Sequence, residues 1–150
     1  MIPAPDGKID INVEAIEKYL RRKTMNNLIM THFKMEEFTC KCGCGQNDME
    51  YIFLNKLDVA RGHAAIMVPD IRMVVNSGFR CLKHNRSIGS NDSSSHPRGY
   101  AGDIACTNSV WRFAMIDAFL AAGFTRIGVR KDFIHVDADP SKSPEVLWIY

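Results

Sequence analysis

Apolar residues along this chain change period several times, and each change marks an element. Val13, Ile16 and Leu20 form a helical stripe behind Asn12, which predicts a short capped helix over residues 12–22. Pro3, Pro5 and Gly7 predict an irregular stretch before it. Ile52, Leu57, Ala60 and Ala64 recur near helical spacing. They predict a second helix, capped by Asn47 or Asp48, running to about residue 66 and closed off by Pro69. Residues 71–75 read as a strand that ends at Asn76-Ser77-Gly78. Residues 83–99 are polar, with Gly89, Gly99, Asn91-Asp92 and serines at 90 and 93 to 95. A compact domain keeps so long a loop for function. Ser109 as cap, apolar Trp111, Met115, Ile116 and Leu120, and Gly123 at the terminal turn predict a helix over 110–122. Residues 125–129 and 133–138 flank Arg130-Lys131-Asp132 in the pattern of a hairpin. Helices and strands fall in segregated runs, which predicts an α+β domain with a central antiparallel sheet flanked by helices.

Composition narrows the function. With 150 residues, 46% of them hydrophobic, the chain can bury one core unaided. A net charge of +2 and a pI near 8.3 are too weak to argue for a nucleic-acid partner. No apolar run is long enough to span a membrane, and the amino end lacks the charged and apolar regions of a signal peptide. The expectation is a protein made in the cytoplasm, without membrane insertion. Five cysteines, an odd number, argue against a full disulfide framework and for a reducing compartment. Cys40, Cys42 and Cys44 lack the C-x-x-C spacing of a zinc knuckle. Small buried thiols in a glycine-rich lead-in are therefore favoured over a second, structural zinc closed by Cys81, Cys106 or a histidine. A nucleic-acid module built on these cysteines would need a basic stripe and interleaved aromatics, which the chain lacks.

Two short stretches carry the chemistry. His96-Pro97-Arg98-Gly99-Tyr100-Ala101-Gly102-Asp103 and Asp132-Phe133-Ile134-His135 together offer two histidines and an aspartate. That set suits a zinc ion with one position open to water, and a carboxylate three residues before His135 suits a general base. Period two sets Phe133, His135 and Asp137 on one strand face. Asp137 is a rival base, or a carboxylate that orients a histidine ligand. The plainer alternatives are a solvated loop histidine, a turn-closing Asp132 and a surface Arg80.

These stretches also resemble a known family. Ser94-Ser95-His96-Pro97-Arg98-Gly99-Tyr100-Ala101-Gly102-Asp103 is similar to the S-x-H-x-x-G-x-A-x-D signature of M15-type zinc D,D-carboxypeptidases and L-alanyl-D-glutamate endopeptidases. Asn76-Ser77-Gly78-Phe79-Arg80-Cys81 resembles the family's S-G-[FY]-R segment, and Phe133-Ile134-His135-Val136-Asp137 its closing metal strand. Leu147-Trp148-Ile149-Tyr150 resembles its aromatic end, and Glu37-Phe38-Thr39-Cys40-Lys41-Cys42-Gly43-Cys44-Gly45 the start of phage and prophage members. The resemblance covers residues 31–150 and leaves 1–30 as an extension with a short helix.

The resemblance implies the zinc fold shared with the Hedgehog signalling domain, with His96, Asp103 and His135 as ligands of one catalytic zinc. It implies Asp132 as catalytic carboxylate and Arg80 as partner of the developing oxyanion or of a substrate carboxylate. Ser94 would bond substrate or brace the His96 loop. The substrate would be the stem peptide or crosslink of bacterial peptidoglycan. The expected protein is a monomeric phage or prophage lysis enzyme, released through a holin or carried in a virion. The alternative is a non-catalytic wall-binding or virion module of the same fold.

Overall fold

The computed structural model describes residues 12–26 and 30–150. The irregular start expected before Asn12 lies outside these residues. Asn12 Oδ1 accepts the Ala15 N–H at 2.9 Å and opens α1 (Val13–Asn26), one turn longer than its stripe predicts. Its Val13, Ile16, Tyr19 and Leu20 are exposed.

A short 3₁₀ turn, Met35–Phe38, leads through the cysteine segment to α2 (Tyr51–Met67). Neither Asn47 nor Asp48 caps α2. The residue before its first turn is Glu50, and the Asn47 amide instead donates to Met35 O at 2.7 Å, tying the cysteine segment to the 3₁₀ turn. Phe53, Leu54, Leu57, Ala60 and Ala64 form the buried face of α2, while Ile52 falls outside it. α2 packs on α4 (Ser109–Ala121), whose Ala114 and Ala118 are buried, so small side chains on both helices permit close approach. Asn108, not Ser109, caps α4, accepting the N–H groups of Val110 and Trp111 at 2.8 and 3.0 Å. An amide oxygen one residue earlier reaches two of the orphan donors at once. Beneath the helices, Phe53 meets Phe38 and Phe124 edge to face, and Phe119 meets Phe124 likewise.

The sheet holds β1 (Val75–Ser77), β2 (Ala101–Ala105), β3 (Arg126–Val129), β4 (Phe133–Asp137) and β5 (Val146–Ile149) in the order β1-β2-β4-β3-β5. Residues 71–74 alternate buried and exposed as a strand would, but the paired ladder starts only at Val75. Three pairings are antiparallel; the fourth, β3 with β5, is parallel and makes the sheet mixed rather than wholly antiparallel. The reason is steric order. After β4 the chain reverses over residues 138–145, so β5 runs opposite to β4. Both sides of β4 are already taken by β2 and β3, and β5 adds to the outer edge of the adjacent β3.

The polar segment 83–99 is not all loop, because α3 (Leu82–Ser87) occupies its first part and buries Asn85. Among the described residues, no helix is long and apolar enough to cross a membrane.

Candidate metal centre

The register of β2 against β4 sets Asp103 directly opposite His135, and this pairing builds the site. His96 comes from the loop before β2. There Gly99 adopts a φ of +78°, and a Cβ on it would lie 2.1 Å from Asp48 O. Only glycine lets the chain turn back so tightly, and the turn carries His96 over the sheet. Ser94 Oγ accepts the His96 N–H at 3.3 Å and braces the loop from within.

The ligand atoms of His96, Asp103 and His135 all lie within 4.8 Å of one another. His96 Nε2 is 3.3 Å from Asp103 Oδ2, and His135 Nδ1 is 2.9 Å from Asp103 Oδ1. The opposite nitrogen of each ring is already committed. His96 Nδ1 lies 2.7 Å from Gly78 O, which can only accept, so Nδ1 carries the proton. His135 Nε2 lies 2.9 Å from Asp137 Oδ2, a buried carboxylate that fixes the proton there in the same way. The lone pairs of His96 Nε2 and His135 Nδ1 are thereby left to converge beside the Asp103 carboxylate. Two imidazole nitrogens and a carboxylate oxygen are a donor set that fits zinc, and histidine ligands backed by a carbonyl and a carboxylate are the usual second layer of such sites.

The clustered groups also shift one another electrostatically. Burial alone would raise the Asp103 carboxyl, but the hydrogen bonds and charges of His135 and His96 outweigh it and hold the group well below the ordinary carboxylate range. Burial opposes a charged His135, yet Asp103 and Asp137 together raise its pKa.

Arg80 lies beneath the site and is buried. Its Nη2 donates to Asp103 Oδ2 at 3.4 Å and to Ser77 Oγ at 3.2 Å, and Nη1 donates to Asn85 Oδ1 at 2.9 Å. The fork is thus shared among Asn85, Ser77 and Asp103. Asn85 is held in turn by the carbonyl of Asn91 at 2.9 Å. Asp137 receives Arg126 Nε at 2.8 Å.

Asp132 stands apart from the three clustered residues. It sits in the β3–β4 turn, half exposed, with its carboxylate 3.3 Å from Arg130 Nε.

Several supporting residues escape a reading of residue types. Asp139, buried just past β4, accepts from Ser95 Oγ at 2.9 Å and from Arg98 Nη1 at 2.7 Å, gripping the His96 loop on both sides. Trp148 of β5 lies over Gly128, where a Cβ would come within 2.5 Å of its ring, and its ring centroid is 5.5 Å from that of His135. Tyr150 continues the wall 6.2 Å from Trp148 and 5.7 Å from Phe133. Burial and the nearby Asp103 and Asp137 charges raise the Tyr150 phenol against the opposing Trp148 hydrogen bond and the Arg80 charge. The serine of the S-x-H pattern was a visible signal for loop bracing; Asp139, forty-three residues from His96 in sequence, had none.

His32 is exposed, and His63 pairs with Asp117 at 3.1 Å between α2 and α4, away from the cluster.

The family model described as Peptidase M15 matches residues 31–137. A comparison with curated proteins finds no match.

Proposed function

The chain belongs to the peptidase M15 family, a zinc-dependent group of metallopeptidases, and from that premise we propose that it hydrolyses a peptide bond in the stem or crosslink of bacterial peptidoglycan. The observation that carries the reading is the convergence of His96 Nε2, Asp103 and His135 Nδ1, each histidine with its other nitrogen tied to an acceptor. These three residues would hold the zinc. Bound there, zinc would polarise the scissile carbonyl and bring the pKa of the attacking water toward ~7.

The remaining work falls to the chain's own side chains. Asp132 takes the proton of the attacking water and passes it to the leaving amine. Its half-exposed position in a turn leaves it free to swing from Arg130 toward a substrate. Asp137 is unsuited to that task, because it is buried against Arg126 and contacts the nitrogen of His135 that faces away from Asp103. It orients the ring instead. Arg80 helps hold Asp103 in place, and its positive charge would stabilise the negative charge that builds on the carbonyl oxygen. The cluster of Trp148, Tyr150 and Phe133 beside His135 forms a side wall for the substrate. Residues 31–150 form the peptidase unit, with 1–30 as an extension, and lysis by a phage or prophage is the setting that suits an enzyme of this specificity.

Purified sacculi incubated with the zinc-loaded protein should release muropeptides whose masses identify the bond cut, and a chelator should stop release. Sacculi that bind the zinc-loaded protein without any release would overturn hydrolysis in favour of a wall-binding module.

A further inference from the structure

A second group of metal-ligating side chains lies outside the site just described. Cys40, Cys42, Cys44 and Cys81 bring their four sulfurs within 4.8 Å of one another. Cys40 Sγ is 3.5 Å from Cys42 Sγ, and Cys42 Sγ is 3.8 Å from Cys81 Sγ. No pair is joined as a disulfide, and all five cysteines of the chain are free. The expectation of small buried thiols holds for Cys40 but not for Cys42 and Cys44, which are exposed; Cys81 is buried beside Cys40. Two exposed thiols gain nothing from packing, so burial does not explain why they turn toward the buried pair.

Tetrahedral zinc at a Zn–S distance of about 2.3 Å separates its sulfurs by about 3.8 Å. The observed spacings lie close to that edge. The local backbone is shaped to the same end. Gly43 and Gly45, at φ of +86° and +75°, let residues 40–45 curl so that alternate cysteines face one point. Backbone N–H groups then point at three of the sulfurs: Cys81 N at Cys40 Sγ, His84 N at Cys81 Sγ and Gln46 N at Cys44 Sγ, each at 3.4 Å. Such donors stabilise thiolates rather than thiols. Cys106 takes no part, since its sulfur donates to Asn108 O at 3.5 Å.

We propose that Cys40, Cys42, Cys44 and Cys81 hold a second, structural zinc ion. Binding displaces the thiol protons to solvent and involves no change of oxidation state. All four ligands come from protein, so the coordination shell is closed and carries no catalytic water. The ion cross-links residues 40–44 to residue 81, next to Arg80, which holds Asp103, and near Gly78, whose carbonyl holds His96. The backbone already bridges the two segments there through Phe79 N to Phe38 O at 2.9 Å. The C-x-C-x-C spacing alone argues against such a site, and among Cys81, Cys106 and a histidine as the fourth ligand the fold selects Cys81, on the strand-to-helix turn before α3. This site is independent of the peptidase reading.

The test is metal stoichiometry in protein purified under reducing conditions, with cobalt substitution as a second readout. Wild type should carry two zinc ions, His135→Ala one, and the double variant Cys42→Ser with Cys44→Ser one. These two serines replace exposed residues, so the fold should survive. Cobalt-loaded wild type and His135→Ala should both show thiolate-to-cobalt charge-transfer absorption in the near ultraviolet, and the cysteine variant should lose it. Unchanged zinc in the cysteine variant, or absence of the charge-transfer band from wild type, would each overturn the proposal, whereas a single zinc in wild type that keeps the band would support it and count against the peptidase site instead. If the cysteine variant does not fold, His135→Ala decides alone: a remaining zinc with thiolate absorption supports the site, and a metal-free protein refutes it.

Discussion

Asp137 Oδ2 lies 2.9 Å from His135 Nε2, and this contact determines which face of the ring is free to meet a metal. Asp137→Asn keeps the shape but offers an amide that can present either a donor or an acceptor to Nε2. Zinc affinity should fall about 10–100-fold, with the fold retained. Competition against a chromogenic chelator measures it. Unchanged affinity would remove Asp137 from the metal site.

Asp132→Asn should behave differently. The variant should keep its zinc and its melting temperature but lose hydrolysis by about 10²–10⁴-fold. Peptidoglycan digestion rates at equal zinc content separate the two aspartates. If Asp137→Asn proves the more damaging to turnover at saturating zinc, the base has been assigned to the wrong carboxylate.

Asp139 predicts an acid dependence. Burial raises its carboxyl, but the Ser141 and Ser95 hydroxyls, the Ser141 N–H and the Arg98 guanidinium outweigh it and lower the pKa. A carboxyl lowered in the folded state stabilises the fold above its unfolded pKa of about 3.9, and that contribution drains away as pH falls through the folded value. Asp139→Asn should cost about 1.5–3 kcal/mol at neutral pH and should weaken the loss of stability in acid. Denaturant melts at neutral and acidic pH test both. An equal acid response in the variant would sink the idea.

Removing residues 1–29 tests the domain boundary. Asp58 of α2 takes the N–H groups of Thr31 and His32 at 3.1 and 2.8 Å, so the start of the peptidase unit is anchored without the preceding helix. The apolar residues of α1 that face outward bury little. A chain beginning at Met30 should bind zinc and digest peptidoglycan at near-normal rates. A folded, zinc-loaded but inactive product would move the extension into the substrate site.

Much of this was readable before any coordinates. Period-two alternation marked β4, and the spacing from His96 to Asp103 and on to His135 named three residues that converge within 4.8 Å. Asn12 and Gly123 fell where local chemistry predicts. Most of the failures depend on partners distant in sequence. Asn47 looks like a helix cap but serves the 3₁₀ turn. The cap of α4 is a local exception, where Asn108 outcompetes Ser109 by reaching two donors. The parallel strand β5 follows from which sheet edge was vacant, which no local pattern records. Arg80 looked like a surface or substrate group, and its burial against Asp103 and Asn85 emerges only once β1 and β2 are paired.

The opposition of Asp103 to His135 has one more consequence, for how the protein reaches its fold. A slip of one residue between β2 and β4 would send the Asp103 side chain to the other face of the sheet, away from His135. Zinc that needs both residues can bind only the correct alignment, and binding free energy at such a site adds to folding free energy. The ion would therefore proofread strand pairing, making metal supply during synthesis a determinant of how much chain arrives in register.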